Sequence, residues 1–180
     1  MTARAPVLAR WARDHLREAL GGPAATPPRE GWCEQIGATF VTLRRRDGAL
    51  QGCIGTLEPT RTLLHDVAHN AMAAATRDPR SAPIALADLD DLHVELSILS
   101  ALAPLHGPDE IRIGVDGVVL RHGQRRATFL PVMWERFREL GRFLAALKHK
   151  AGLPPSLPDT ELRLWRYTVE KHVDAAPGGT

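Results

Sequence analysis

Residues 38–57, ATFVTLRRRDGALQGCIGTL, restrict the kinds of fold open to this chain more than any other stretch. Two β-prone runs flank Asp47-Gly48, and Asp-Gly between such runs is a strong local signal for a hairpin turn. A second stretch of the same design, GVDGVVLRHGQRRATFLP over 114–131, turns near His122-Gly123 and is closed by Pro131. Between them, LHVELSILS (92–100) alternates as a strand does. Leu92, Val94, Leu96 and Ile98 take one face, and His93, Glu95, Ser97 and Leu99 take the other. Strands joined through hairpins pair antiparallel.

Helical patterns are interspersed among these strands. Val7, Leu8, Trp11, Ala12, His15, Leu16, Ala19 and Leu20 recur at the spacing of one helical face, and Gly21-Gly22 ends the run. Thr60 is placed to cap a helix over about 61–76 with Leu64, Val67, Ala68, Ala71, Met72 and Ala75 on its apolar side, and Pro79 stops it. WERFREL reads as a short helical piece, GRFLAALKHKAGLPP as a helix closed by Gly152 and Pro154, and TELRLWRYTVE (160–170) as a last strand. The expected class is α+β with a mostly antiparallel sheet. A chain of 180 residues suits one domain, taken here as 1–175 with a disordered tail over 176–180.

The 23 basic and 21 acidic residues leave a formal charge of +2, too weak a field to steer nucleic acid or an anionic membrane. Lysine occurs only at Lys148, Lys150 and Lys171, a skew that reflects genomic base composition more readily than phosphate binding. LRRRDG (43–48) is read as a solvated hairpin end, and RNA binding lacks the interleaved exposed aromatics of single-strand readers. No run approaches the ~20 apolar residues of a membrane span. The first twenty residues show no secretory pattern. The expected location is the reducing cytoplasm, with Cys33 and Cys53 both free thiols.

Four groupings bear on chemistry. HDVAH (65–69) mimics a zinc-binding helix, but Asp66 is one methylene shorter than the glutamate of that motif and no third ligand follows, so neither a metal nor a cofactor is expected. Glu95 and Ser97 share a strand face that either meets water or supplies a carboxylate to a cleft. Arg77, Asp78 and Arg80 follow a helix end, where they complement its last turn or bind an anion. Cys53, between Gly52 and Gly55, is either a small buried hydrophobe or a reactive thiol that ligand can approach over bare backbone. Cys33 is read as structural.

GCIGTLEP, AAATRDP, DLHVELSILS, GVDGVVLRHGQRRATFLP and KAGLPP, in this order and spacing, resemble the AMMECR domain family, whose bacterial form is called AmmeMemoRadiSam system protein A. The resemblance runs from about Val7 to Val169. It implies a larger and a smaller lobe forming a cleft. It also implies gene association with a Memo-like protein, itself similar to non-haem iron dioxygenases, and with a radical S-adenosylmethionine enzyme. The family's reaction is not settled by it. Residue by residue, the family's segments fall on Gly52, Cys53, Ile54 and Gly55, on Asn70, Arg77, Asp78 and Arg80, and on Glu95 and Ser97. Gln51 stands where an arginine is usual, Ser81 where an aromatic is usual, and PVMW where a glutamine commonly follows the proline.

Two functions from different classes follow. In the first, the chain is an enzyme or enzyme component with Cys53 as nucleophile or covalent carrier and Glu95 as acid/base. Gly52, Gly55, Asn70, Arg77, Asp78, Arg80 and Ser97 then line the substrate site, Arg77 and Arg80 clamping an anionic group. In the second, the same cleft is a non-catalytic module that holds a small molecule or peptide for the two partner proteins.

Overall fold

Helices with one apolar stripe and strands with one apolar face must bury them against each other, and the structure does this twice. The structure, a computed structural model, describes residues 4–177. Among these, the chain divides into two compact units, a larger one of residues 4–99 and 170–177 and a smaller one of residues 100–169.

In the larger unit, α1 (Arg4–Ala19) buries Leu8, Ala9, Ala12 and Leu16. Helix α2 (Leu63–Thr76) buries Leu63, Val67, Ala71, Ala74 and Ala75. They meet one face of a sheet formed by β1 (Ile36–Arg45), β2 (Leu50–Gly55), β3 (Arg61–Thr62), β4 (Leu92–Leu99) and β9 (Val169–Asp174). Its order is β2-β1-β4-β9, with β3 beside the start of β1. Strand β1 is antiparallel to β2, β3 and β4. Val41, Leu43, Leu92, Val94, Leu96 and Ile98 form the helix-facing core, as the alternation of 92–98 requires. Helix α2 starts two residues later than its sequence suggests. Arg61 and Thr62 first pair with Gly37 and Ile36, and Thr62 rather than Thr60 caps the helix, its Oγ1 accepting from the His65 N–H at 3.4 Å.

In the smaller unit, β5 (Ala103–Leu105), β6 (Gly117–His122), β7 (Arg125–Phe129) and β8 (Arg163–Tyr167) form an antiparallel sheet in the order β5-β8-β6-β7. Helix α3 (Leu140–Lys150) packs Phe143, Leu144 and Leu147 against Val118, Leu120, Ala127, Phe129 and Leu164. Trp134 stacks on Phe143 with ring centroids 3.8 Å apart. The helical piece expected at WERFREL is a short 3-10 turn, Pro131–Glu135.

The last expected strand, 160–170, is two strands. Strand β8 belongs to the smaller sheet, whereas β9 joins the larger one beside β4. The break falls at Thr168, whose N–H donates to Ser100 Oγ and whose carbonyl accepts the Ser100 N–H, both at 2.9 Å. The tail expected from 176 opens on a buried residue: the Ala176 N–H donates to His93 Nδ1 at 3.1 Å. Residues 178–180 of that tail lie outside the described residues. No helix among the described residues is long and apolar enough to cross a membrane. Both cysteines are free, Cys33 buried and Cys53 half-buried.

Candidate functional site around Cys53

The face of the larger sheet turned away from α1 and α2 carries the even-numbered side chains of β1. Thr42 pairs with Cys53 on β2 and with Glu95 on β4, so thiol, hydroxyl and carboxylate stand in one row across three strands. The Thr42 Oγ1 hydroxyl donates to Cys53 Sγ at 3.1 Å. Glu95 is engaged elsewhere: Oε1 accepts from Arg44 Nε and Oε2 from Lys171 Nζ, each at 3.0 Å. Ser97 lies on the same face, opposite Phe40.

The loop after α2 fixes the other side of the thiol. The buried Asp78 carboxylate accepts the Cys53 N–H (2.8 Å), the Arg80 N–H (3.0 Å) and the Arg80 guanidinium (2.6 and 2.9 Å). Arg80 Nη2 also donates to the Cys53 carbonyl at 3.2 Å. The Arg80 guanidinium, with the backbone N–H groups of Cys53 and Arg80, holds the Asp78 carboxyl well below the usual carboxylate range. Asp78 in turn holds Arg80 firmly cationic, and an anionic Cys53 sulfur would add to that. A cation therefore stands beside the thiol, supplied by Arg80. Gln51 binds Arg45 through Oε1 (2.5 Å) and the Ala82 carbonyl through Nε2 (2.9 Å).

Beneath β1, on the helix side, lies a sealed polar cluster. Asp66 Oδ2 accepts the Thr39 N–H (2.9 Å), the Thr39 hydroxyl (2.7 Å) and Asn70 Nδ2 (3.0 Å), while Oδ1 accepts the Thr56 hydroxyl (2.7 Å). Asn70 also donates to the Thr39 carbonyl at 3.0 Å. Asp66 and Asn70 are 0% and 1% exposed, so Asn70, expected to line a ligand site, instead ties α2 to β1 and to the end of β2. The two glycines serve the protein's own packing. A methyl at Gly52 would meet the Ala74 carbonyl oxygen of α2, and one at Gly55 would meet the Phe40 ring.

The expected site residues are thus sorted by place. Cys53 is brought to Thr42 and Arg80, and Asp78 orients both Cys53 and Arg80. Glu95 is one strand away and turned to Arg44 and Lys171. Arg77 is exposed at the end of α2, where partial desolvation, then the charges of Arg61 and Arg77, lower the His69 pKa. His65 and His69 are exposed, and no group of three metal-ligating side chains occurs among the described residues. Thr42, Thr39, Thr56, Arg44 and Lys171 are not among the site residues expected from the sequence. The β1–β2 and β1–β4 registers would have found Thr42 opposite Cys53 and Glu95; the others carry no local signal.

The motifs that build this site, from the Gly-Cys-Ile-Gly return strand to the Arg-Asp-Pro-Arg loop, lie within residues 9–172, which match the family model AMMECR1. The chain belongs to the AMMECR1 family. Its AMMECR1 sequence is 38% identical over 151 residues to a protein of Thermotoga maritima, covering 83% of this chain and 84% of that one. A Methanothermobacter thermautotrophicus protein is 40% identical over 139 residues, covering 73% and 72%. The crystal structure of the uncharacterized protein PH0010 from Pyrococcus horikoshii has the same α+β fold, with a TM-score of 0.82 and 31% identity over 96% of this chain and 92% of that one.

Proposed function

We propose that this AMMECR1 protein is an enzyme or enzyme component of the cytoplasm whose working group is the Cys53 thiol. In this reading it acts beside a Memo-like protein and a radical S-adenosylmethionine enzyme, partners that the family resemblance supplies. Cys53 attacks an electrophilic carbon of the substrate: the S–C bond forms as the bond from that carbon to its leaving group breaks, the leaving group takes the electron pair, and the thiol proton passes to solvent. Thr42 donates to charge on sulfur, Arg80 faces the anionic part of the substrate, and Asp78 positions both. The observation that carries this reading is the pairing of one half-exposed sulfur with a hydroxyl donor at 3.1 Å and a buried-carboxylate-anchored arginine.

Iodoacetamide provides the test, since sulfur displaces iodide without any partner protein. Cys53 is expected to alkylate far faster than Cys33, whose thiol is buried and pushed up by that burial and by Glu30. Arg80→Ala is expected to slow Cys53 about tenfold, the size of one lost charge-assisted contact. Equal, slow labelling of both cysteines would count decisively against the proposal.

The second reading, a non-catalytic module holding a small molecule or peptide for the same partners, is favoured by one observation. Both Glu95 oxygens are engaged by cations, which removes the expected acid/base. Under it, Cys53→Ser keeps capture of the Memo-like and radical-enzyme partners at the wild-type level.

A further inference from the structure

The smaller unit turns apolar side chains outward in one place. Six large hydrophobic residues are exposed among the described residues, and three of them, Ile113, Val115 and Val132, belong to this unit. Gly114, between the first two, lines with Val132 one open hollow of about 520 Å³, so the three form a single patch. Exposed apolar residues scattered singly need no explanation, whereas a contiguous patch marks an interaction surface. Trp134 also lines the hollow; it is buried, stacked on Phe143, and its indole N–H is spent on the Asp116 carbonyl at 2.8 Å. It therefore offers ring carbon and no free donor.

Both segments of the patch are held in place before any partner arrives. Residues 112–116 close a turn in which the Val115 and Asp116 N–H groups donate to the Arg112 carbonyl (3.1 and 3.0 Å), while the buried Asp116 carboxylate accepts the Arg112 N–H (2.9 Å) and guanidinium (2.6 Å). Gly114 takes φ +81° there, a conformation that residues with side chains rarely adopt. Pro131–Glu135 is a 3-10 turn, in which side chains three apart eclipse, so Val132 and Glu135 project from one side. Groups fixed in this way lose little conformational entropy on docking.

The charged residues of the hollow are one acid and one base, Glu135 and Arg138, both exposed, and neither makes an ion pair among the described residues. We propose that this face joins two copies of the chain in a two-fold symmetric dimer. A half-turn about an axis between the two charges sets Glu135 of one copy against Arg138 of the other, twice, while apolar groups meet apolar groups. A partner of a single charge sign would meet one attraction and one repulsion here, which singles out a balanced, self-matching surface. The proposal goes beyond the thiol reading and does not rest on it.

Sedimentation equilibrium of the full-length protein tests it. The wild type is expected to dimerise with a dissociation constant below about 100 μM, and Val132→Asp to weaken that at least about tenfold. Glu135→Arg and Arg138→Glu are each expected to weaken self-association by about tenfold or more, because each sets like charges across the axis. Mixed in equal amounts, these two variants are expected to pair with each other more tightly than either pairs with itself, an all-basic face meeting an all-acidic one. The substituted side chains are exposed, and unchanged thermal midpoints confirm the fold. The proposal is overturned by a wild type that stays monomeric up to about 1 mM, by assembly beyond dimers, by dimerisation unchanged in Val132→Asp, or by a mixture that associates no more tightly than its separate variants.

Discussion

Thr39 and Thr42 are three residues apart on β1 and belong to opposite faces of one sheet. The Thr39 hydroxyl and N–H are both spent on the buried Asp66 carboxylate, in a cluster that also holds Asn70 and Thr56. The Thr42 hydroxyl points to a half-exposed sulfur, in a row that ends on Glu95 and its two exposed cations. Polar groups sealed behind a sheet act on geometry, because leaving them unpaired there is costly. Polar groups in front of it remain open to an incoming molecule. The contrast assigns scaffolding to the helix side and leaves partly accessible polar groups on the other side.

The strongest way to break this contrast is Asp66→Ala. It strips the acceptor from two threonine hydroxyls, one backbone N–H and one amide, and is expected to cost about 3–5 kcal/mol in urea denaturation. A loss below about 1 kcal/mol would mean that the cluster is not the anchor of α2. The two glycines sharpen the same comparison at smaller scale. Gly52→Ala faces the backbone of α2, which cannot step aside, and is expected to cost about 1–3 kcal/mol. Gly55→Ala meets the Phe40 side chain on the other face, Cγ included, so Phe40 must leave its rotamer rather than spin its ring, and the cost is expected at about 1 kcal/mol, below that of Gly52→Ala. Equal costs would erase the distinction between the faces.

An effect of about the same size as that of Gly55→Ala concerns Asp78, whose carboxylate holds the Cys53 N–H and Arg80. Its folded-state pKa is depressed, so its contribution to stability is present above the ordinary carboxylate pKa and is lost as pH falls through the folded value. Asp78→Asn is expected to lower the thermal midpoint by about 2–4 °C near neutral pH, the partner arginine being largely exposed. The gap between variant and wild type should close below about pH 4, where the unfolded carboxylate protonates. A gap that stays constant down to strong acid would show that Asp78 acts without its charge.

How much of this was legible before the structure depends on the range of the interaction. The two hairpins, β4 and α2 follow from local signals: Asp47-Gly48, His122-Gly123, the strict alternation of 92–98, and the alanine-rich stripe after Thr62. What escaped local reading is pairing at a distance. Strand β9 joins β4 some seventy residues earlier in the chain, and with it comes the Lys171–Glu95 contact. Asp66 shows the same limit at a single residue. On its own helix it looks like an imperfect metal motif, and its role emerges only when β1 and the end of β2 bring Thr39 and Thr56 to it. The Gly52-Cys53-Gly55 segment was legible as special, yet its glycines answer to Ala74 and Phe40, residues that no spacing within the segment names.

The chain departs from the larger sheet after Leu99 and rejoins it at Glu170 on the neighbouring strand, with Ser100 and Thr168 hydrogen-bonded to each other where the excursion starts and finishes. Residues 100–169 are therefore a detour in the covalent path. In connectivity terms, a short reverse turn across that gap would leave the parent strand order β2-β1-β4-β9 unchanged.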